Sequence, residues 1–375
     1  MQSFSKIVDS LRFPFIVMVV FIHCSGTYPV NIDSITWNDT ASIDYYVILR
    51  FLVIDILCRI AVPSFFLFSG YYFFYKVDSF SIDIYKNKLR KRVRSLLIPY
   101  LIWNSLQFVL SALLVAKQNL FNGNIQDSVV GVYNDLGGIV GIFWNGSVSS
   151  DRLNWLGLID GRTAPADMPL WFLRDLIIMS IIAPVIYYSI RKFKIGYLFL
   201  LFLLCVLKLW PWIPGLSIDA LLYFSIGAYL SINKVDVLAL CNKYKIALYC
   251  ISILLIPILL YMHNSGPVLL LPFYILAAMG SSVNIMITIS KKCPSLQNRL
   301  INLKQSVFFI YAIHYMSIVA FVPLIADRYI CSLSIIFQVF LFFICPILCT
   351  LLCLFYFKIS STFFKSTTNV LIGKR

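Results

Sequence analysis

VDSLRFPFIVMVVFIHCSG, residues 8–26, is a long apolar run that carries Asp9, Arg12 and His23. Its length and composition predict a membrane-spanning helix. Arg12 and His23 are about three helical turns apart, so their side chains share one face, about 16 Å apart along the axis. Asp9 lies one turn before Arg12 and can pair with it. Ionisable groups inside a membrane are costly and tend to mark function. Alternatively, Asp9 and Arg12 lie at the lipid headgroups and His23 bonds to another helix.

The composition of the whole chain is that of a polytopic membrane protein. Of its 375 residues, 60% are hydrophobic and 13% are charged, and the mean hydropathy is +0.87. Soluble domains of this size are more polar. We expect an all-α fold in which about ten transmembrane helices enclose a polar cavity, with a separate interfacial or re-entrant helix at about 43–57. The predicted spans are about 10–30, 58–76, 96–116, 169–190, 195–211, 216–232, 245–262, 267–289, 306–326 and 333–357.

The charge distribution predicts the orientation of the chain. The net charge is +15, and most of the 31 Lys and Arg fall in segments that ten spans place on one side. Because cytoplasmic loops are enriched in Lys and Arg, both termini are expected in the cytoplasm. The basic excess then reflects topology, and no nucleic-acid partner is expected. The chain is read as a single domain, 1–375, with an outer loop at about 117–168 and a cytoplasmic tail at about 358–375.

Two features of the loops and cysteines leave alternatives. The outer loop carries aromatic residues that either stack on sugars as an acceptor-binding lid or form an ordinary interfacial belt.

The ten cysteines include no C-x-x-C pair and suggest no disulfide framework. Cys345, Cys349 and Cys353 form a stripe better explained by small helix-packing side chains than by metal ligands. We expect no metal.

A basic run precedes the third predicted span. It reads YKNKLRKRVRSLLIPYLIWN, residues 85–104, and includes Lys91, Arg92 and Arg94. Such a cluster either grips anionic lipid and enforces topology or receives the phosphates of a cytosolic nucleotide-bearing donor, for which Arg is well suited. The run alone does not separate these interpretations.

Together these motifs resemble the integral membrane acyltransferase family 3. Its D-x-x-R and R-x10-H signatures match Asp9–Ser10–Leu11–Arg12 and the spacing from Arg12 to His23. RIAVPSFFLFSGYYFF, from Arg59 to Phe74, resembles the family's second span, and KRVRSLLIPYLIW resembles the basic start of the third. MPLWFLRDL, LYFSIGAYL and IYAIHYM resemble the fourth, sixth and ninth, so the likeness covers about 8–358. One departure is a K-x-x-R from Lys91 to Arg94, where the family often has R-x-x-R; it loses a bidentate contact at Lys91.

The resemblance implies an acyltransferase of a bacterial plasma (inner) membrane. The family moves an acyl group, usually acetyl, from cytosolic acyl-CoA to a hydroxyl of a carbohydrate or other envelope molecule. A neutral imidazole at His23 suits a general base, although His23 itself becoming acylated is the alternative. Arg12, with Lys91, Arg92 and Arg94, would hold the donor, acetyl-CoA or a related acyl-CoA. Asp9 would fix Arg12 and offset its charge.

Further candidates concern the acceptor. Arg59 either stabilises an oxyanion, holds an acidic acceptor, or simply pairs with Asp55 one turn away. His314, beside Tyr311, is either an interhelical hydrogen bonder or part of the acceptor site. Arg174 and Asp175 open the fourth predicted span from outside, and either pair across helices or contact the acceptor. Trp171 is a further candidate for the acceptor site. Ser69 and Gly70 are better explained by close helix packing than by nucleophilic chemistry.

The partners expected are membrane lipid, acyl-CoA and a carbohydrate or lipid-linked glycan, and the sequence leaves homo-oligomerisation open. The main rival function is a glycan or lipid transporter, or flippase, in which the intramembrane Arg and His line a translocation path. Many transporters show inverted repeats and paired broken helices, and the sequence is expected to contain neither.

Overall fold

The computed structural model describes residues 3–24, 45–77, 79–119, 133, 138–145, 164–211, 213–262, 269–319 and 335–374. Within these ranges the chain is helical and contains no strand. A short helical segment, 138–145, precedes α4. The main helices are α1 (Phe4–Cys24), α2 (Tyr45–Phe74), α3 (Ile82–Leu113), α4 (Met168–Ile181), α5 (Ala183–Phe193), α6 (Ile195–Val206), α7 (Ile218–Ile232), α8 (Val237–Lys243), α9 (Lys245–Tyr261), α10 (Leu271–Lys292), α11 (Pro294–Leu303), α12 (Val307–Met316), α13 (Ile335–Phe363) and α14 (Lys365–Leu371).

Five of these helices are long and apolar enough to cross a membrane, namely α1, α2, α3, α10 and α13. Two bent pairs, α4–α5 at 63° and α7–α8 at 107°, raise the number to seven if each pair is one span. Each pair is then a broken helix, contrary to the expectation of none. The apolar helices α6, α9 and α12 are shorter. The all-α prediction is confirmed for the described residues, and each predicted span overlaps one of these helices or pairs. Ten crossings and an enclosed polar cavity stay predictions.

The expected separate helix at about 43–57 is wrong for its described part. Instead, α2 runs through the region as one helix of 30 residues. Its middle has wide π-type turns at Phe51–Ile56 and tighter 3₁₀ turns at Leu57–Ile60. Pro63 accounts for the irregular turns that directly precede it, because it has no N–H to donate to the Arg59 carbonyl. The irregular turns absorb that interruption without ending the helix.

Helices α2 and α7 pack with their backbones in close contact. A Cβ atom added at Gly70 would overlap the Phe224 carbonyl, and one added at Gly227 would overlap the Leu67 carbonyl. Glycines in membrane helices allow such close backbone approach. The prediction that Gly70 serves helix packing is therefore confirmed.

Replacing Gly70 with Ala should destabilise the fold, because the new methyl group meets backbone and not a flexible side chain. Overpacking of this kind costs about 1–3 kcal/mol, so we expect a lower melting temperature of the purified protein. Gly196→Ala is the matched control, since a Cβ at Gly196 meets nothing within 4 Å. If the Gly70→Ala and Gly196→Ala proteins have the same melting temperature, the close packing at Gly70 is contradicted.

Helix α1 lies inside the bundle and positions the candidate site. It packs against α2, α10, α11, α12 and α13. Ile7, Val8 and Val20 are completely buried on it, while Arg12 and His23 are half-buried. Burial of the apolar side chains fixes how α1 is rotated, and therefore where its ionisable groups lie.

Candidate active site

One helix holds both ionisable ends of the candidate site. Helix α1 continues from Phe4 to Cys24 with Pro14 inside it, so the spacing between Arg12 and His23 is helical throughout. Eleven residues at about 100° each return to within about 20° of the same direction, about 16 Å along the axis. The predicted common face of Arg12 and His23 therefore holds.

The end of α1 near Arg12 is an ion cluster of three residues. The Asp9 Oδ1 atom lies 3.8 Å from Arg12 Nε, and Asp9 Oδ2 lies 2.7 Å from Lys304 Nζ. The predicted Asp9–Arg12 pair is present, but Lys304, between α11 and α12, makes the shorter contact. One carboxylate thus lies between two cations, which leaves one positive charge for an anionic ligand.

The other end of α1 meets a second histidine. The His23 ring centroid lies 5.2 Å from that of His314 and 5.7 Å from that of Tyr315. The His314 side chain is completely buried. The pair brings together two imidazoles that are far apart in the sequence, and the spacing of α1 alone does not predict it.

The hydrogen bonds of His314 fix its tautomer. Its Nδ1 lies 2.8 Å from the Tyr311 carbonyl oxygen and 3.1 Å from that of Ile310. Carbonyl oxygens only accept, so we assign the hydrogen to Nδ1, which leaves Nε2 of the neutral ring as an acceptor. This Nε2 is buried and has no hydrogen-bond partner among the described residues. The bonds go to its own helix, so His314 is not an interhelical hydrogen bonder within the described part of the chain.

Arg59 pairs with Asp55 and also interacts electrostatically with His23. Its Nη2 atom is 2.6 Å from Asp55 Oδ1, which is the i,i+4 pair that the sequence allows. Arg59 also acts electrostatically on His23. Both members of the ion pair are about one-third exposed, so the pairing leaves the guanidinium accessible. The catalytic role of Arg59 stays a prediction.

The acceptor candidates on α4 and α12 are mostly occupied by other contacts. The Tyr311 hydroxyl donates to the Pro169 carbonyl, and the Trp171 ring packs 6.3 Å from Phe66. Arg174 is buried, with Nη2 3.1 Å from Asp175 Oδ1 and Nη1 2.7 Å from the Trp144 carbonyl. Arg174 thus ties α4 to the segment 138–145, and its contact with an acceptor stays a prediction.

The basic run divides into an inward and an outward part. Arg92 is half-buried, with Nη2 3.5 Å from the Ser69 carbonyl and its guanidinium 5.6 Å from the Phe73 ring centroid. Lys91 and Arg94 are exposed. The outward pair can therefore receive an anionic group without first giving up a buried contact.

Asp167, immediately before α4, is a site residue that the sequence did not single out. It is completely buried, and neither carboxyl oxygen has a hydrogen-bond partner among the described residues. Leaving a buried polar group unpaired costs about 1–3 kcal/mol. Burial also raises the pKa of the Asp167 carboxyl well above its usual value. An acidic residue beside a predicted span looks like a headgroup charge, so only the folded structure reveals this burial.

A cavity of about 410 Å³ lies elsewhere, and on α1 it is lined by Phe4 and Phe15. Its lining is almost wholly apolar and includes Phe15, Leu67 and Met279. Neither the residues of the ion cluster nor those of the histidine pair line this cavity. It is therefore not the predicted polar cavity.

The comparisons with known proteins assign the class. A family model described as an acyltransferase domain, Acyl_transf_3, matches residues 6–357. The chain belongs to acyltransferase family 3, and the resemblance drawn from its motifs is confirmed. It is 27% identical to the succinoglycan biosynthesis protein ExoH of Rhizobium meliloti (strain 1021) over 190 residues, 50% of this chain and 45% of that relative. The match thus spans less than half the length of the curated relative. No solved structure matches the chain.

Proposed function

We propose that the chain is a membrane O-acyltransferase. It moves an acetyl or other short acyl group from cytosolic acyl-CoA to a hydroxyl of a cell-surface polysaccharide or its lipid-linked precursor. The observation that carries this proposal is the His23–His314 pair, whose ring centroids are 5.2 Å apart, in a chain of this family. His23 lies near one end of α1, and the other end of α1 holds the ion cluster. The printed role of the relative in succinoglycan biosynthesis supports a polysaccharide as the class of acceptor.

The donor binds at the cytoplasmic end of the site. The exposed Lys91 and Arg94 take the phosphates of the nucleotide head, and the half-buried Arg92 adds charge from beneath. The long pantetheine arm then passes Arg12, whose cluster retains one unbalanced positive charge. This arrangement requires both termini in the cytoplasm of a bacterial plasma membrane, which the distribution of basic residues favours.

The chemistry takes place at His23. Its neutral imidazole accepts the proton of the acceptor hydroxyl while the oxygen attacks the thioester carbonyl, a role worth about 10²–10⁴-fold. The carbon–sulfur bond breaks, and the leaving CoA sulfur takes up the proton that His23 holds. Arg59 stabilises the developing negative charge on the carbonyl oxygen. A route in which His23 is acylated first uses the same residues.

Labelled donor added to sealed membrane vesicles tests this proposal. Inside-out vesicles that contain the full chain should incorporate acetyl label from acetyl-CoA into alkali-labile esters of glycan. Right-side-out vesicles should incorporate far less, because charged acetyl-CoA does not cross the bilayer. Vesicles from cells without the chain are the control. Equal incorporation with and without the chain would refute the proposal.

A further inference from the structure

Two neighbouring carboxyl groups in α4 and just before it differ in their partners. Asp175 is 1% exposed and pairs with Arg174; it also accepts hydrogen bonds from Ser217. Asp167 is equally buried, yet both of its oxygens lack a partner among the described residues. Native proteins rarely leave such groups unsatisfied, and a bound molecule is one way in which they are satisfied. The difference therefore points to a ligand at Asp167.

The backbone around Asp167 is held in place. Its N–H donates to Asn104 Oδ1 over 3.0 Å, and the Asn104 side chain, itself completely buried, donates to the Tyr100 carbonyl over 2.9 Å. The neighbouring Ala166 N–H donates to the Ile142 carbonyl over 2.9 Å. A side chain on such a fixed backbone is already positioned for a ligand, which is what a binding group requires.

A continuous set of contacts joins Asp167 to the histidine pair. Two residues after Asp167, the Pro169 carbonyl accepts from the Tyr311 hydroxyl. The Tyr311 carbonyl in turn accepts from His314 Nδ1, and the His314 ring lies beside His23. Asp167 also acts electrostatically on Tyr311 and Tyr315. The unpaired carboxyl and the unpaired His314 Nε2 thus belong to one connected region.

The surroundings select the chemistry of the ligand. Asp167 interacts electrostatically with the tyrosines Tyr100, Tyr311 and Tyr315. Burial is what raises the pKa of its own carboxyl. A buried neutral carboxyl group offers one donor and one strong acceptor. Adjacent hydroxyl groups of a sugar supply the matching acceptor and donor.

We propose that Asp167 binds hydroxyl groups of the carbohydrate acceptor and holds the sugar for acylation at the histidine pair. The assignment rests on the proposed function, and it names the neutral sugar as the ligand class. Asp167 touches the acceptor in this proposal but takes no part in the transfer of the acyl group.

The test uses full-length protein in phosphatidylcholine nanodiscs, prepared without sugar-based detergent, with acetyl-CoA as donor and methyl β-D-glucoside as acceptor probe. In Asp167→Leu, the KM for the glucoside should rise at least tenfold, with a smaller effect on kcat. Asp167→Asn, which keeps a donor and an acceptor, should recover most of the loss. An unchanged KM in Asp167→Leu would overturn the assignment.

Stability separates this role from a structural one. Asp167→Leu should melt at the wild-type temperature or above it, because an unpaired buried carboxyl is replaced by an apolar group of similar size. Asp175→Leu should melt lower, since it removes the carboxylate that balances the buried charge of Arg174. A large fall in the melting temperature of Asp167→Leu would contradict the absence of internal partners on which the assignment depends.

A binding measurement is independent of catalysis. The infrared band of the Asp167 carboxyl, identified by its loss in Asp167→Leu, should shift as the glucoside is raised to its solubility limit. If the wild type transfers no acetyl but the band shifts, the proposed function fails while the sugar site stands. A band that does not shift would refute the sugar site, whatever the result for transfer.

Discussion

Cells that carry His23→Ala are expected to display the surface glycan without its alkali-labile acetyl groups. His23 is the half-buried imidazole of α1 that lies beside His314, and Arg59 acts on it electrostatically. Removing a general base at this position should lower transfer by about 10²–10⁴-fold. Glycan export should continue, because an acyltransferase modifies the glycan and does not carry it. The measurement is ester-linked acetyl per unit of surface glycan.

His263→Ala is the matched control, because His263 is the third of the chain's three histidines and has no role in the proposed site; it lies outside the described residues. It should leave acetylation at the wild-type level. If His23→Ala stops export itself, the transporter interpretation gains and the acyltransfer proposal fails. If acetylation persists in His23→Ala, another group is the base.

His314→Asn is expected to lose about 10²-fold of the transfer rate, because it removes the Nε2 acceptor beside the base His23. The Asn amide nitrogen can occupy the place of Nδ1 and keep the hydrogen bonds to Ile310 and Tyr311. It offers no atom at the place of Nε2, which in the wild type has no hydrogen-bond partner among the described residues. The pair of bonds that holds the helix is kept, and only the free acceptor is removed.

His314→Gln separates the two ring nitrogens. Gln reaches the place of Nε2 with a polar atom but does not reproduce the Nδ1 bonds as well as Asn does. We therefore expect Gln to retain more activity than Asn, and Asn to retain more stability than Gln, by transfer rate and melting temperature of the purified proteins. The reverse order in the rates would show that the Nδ1 bonds, and not Nε2, are what transfer requires.

Local sequence patterns predicted those parts of the site that depend on one helix. The common face of Arg12 and His23 follows from helical periodicity, and the Asp55–Arg59 pair from i,i+4 spacing. The close packing at Gly70 follows from the absence of a side chain. Each of these is a property of residues close together in the chain, so it holds once the helix forms.

The remaining features depend on contacts between distant segments. Lys304 reaches Asp9 across 295 positions of sequence, and His314 reaches His23 from α12. Asp167 becomes buried only in the folded chain, where its backbone N–H donates to Asn104. Periodicity contains no information on which helices become neighbours, so these contacts required the folded structure.

The central claim is that His23 performs acyl chemistry on a donor held at the Arg12 end of α1. Release of CoA from acetyl-CoA by the purified full chain, with methyl β-D-glucoside present as the acceptor of the acetyl group, tests it most directly, with the wild type, Arg12→Gln and His23→Ala compared over a range of donor concentrations. The account predicts that His23→Ala lowers the rate at saturating donor, whereas Arg12→Gln chiefly raises the donor KM. Wild-type rates from both variants at every donor concentration would contradict it.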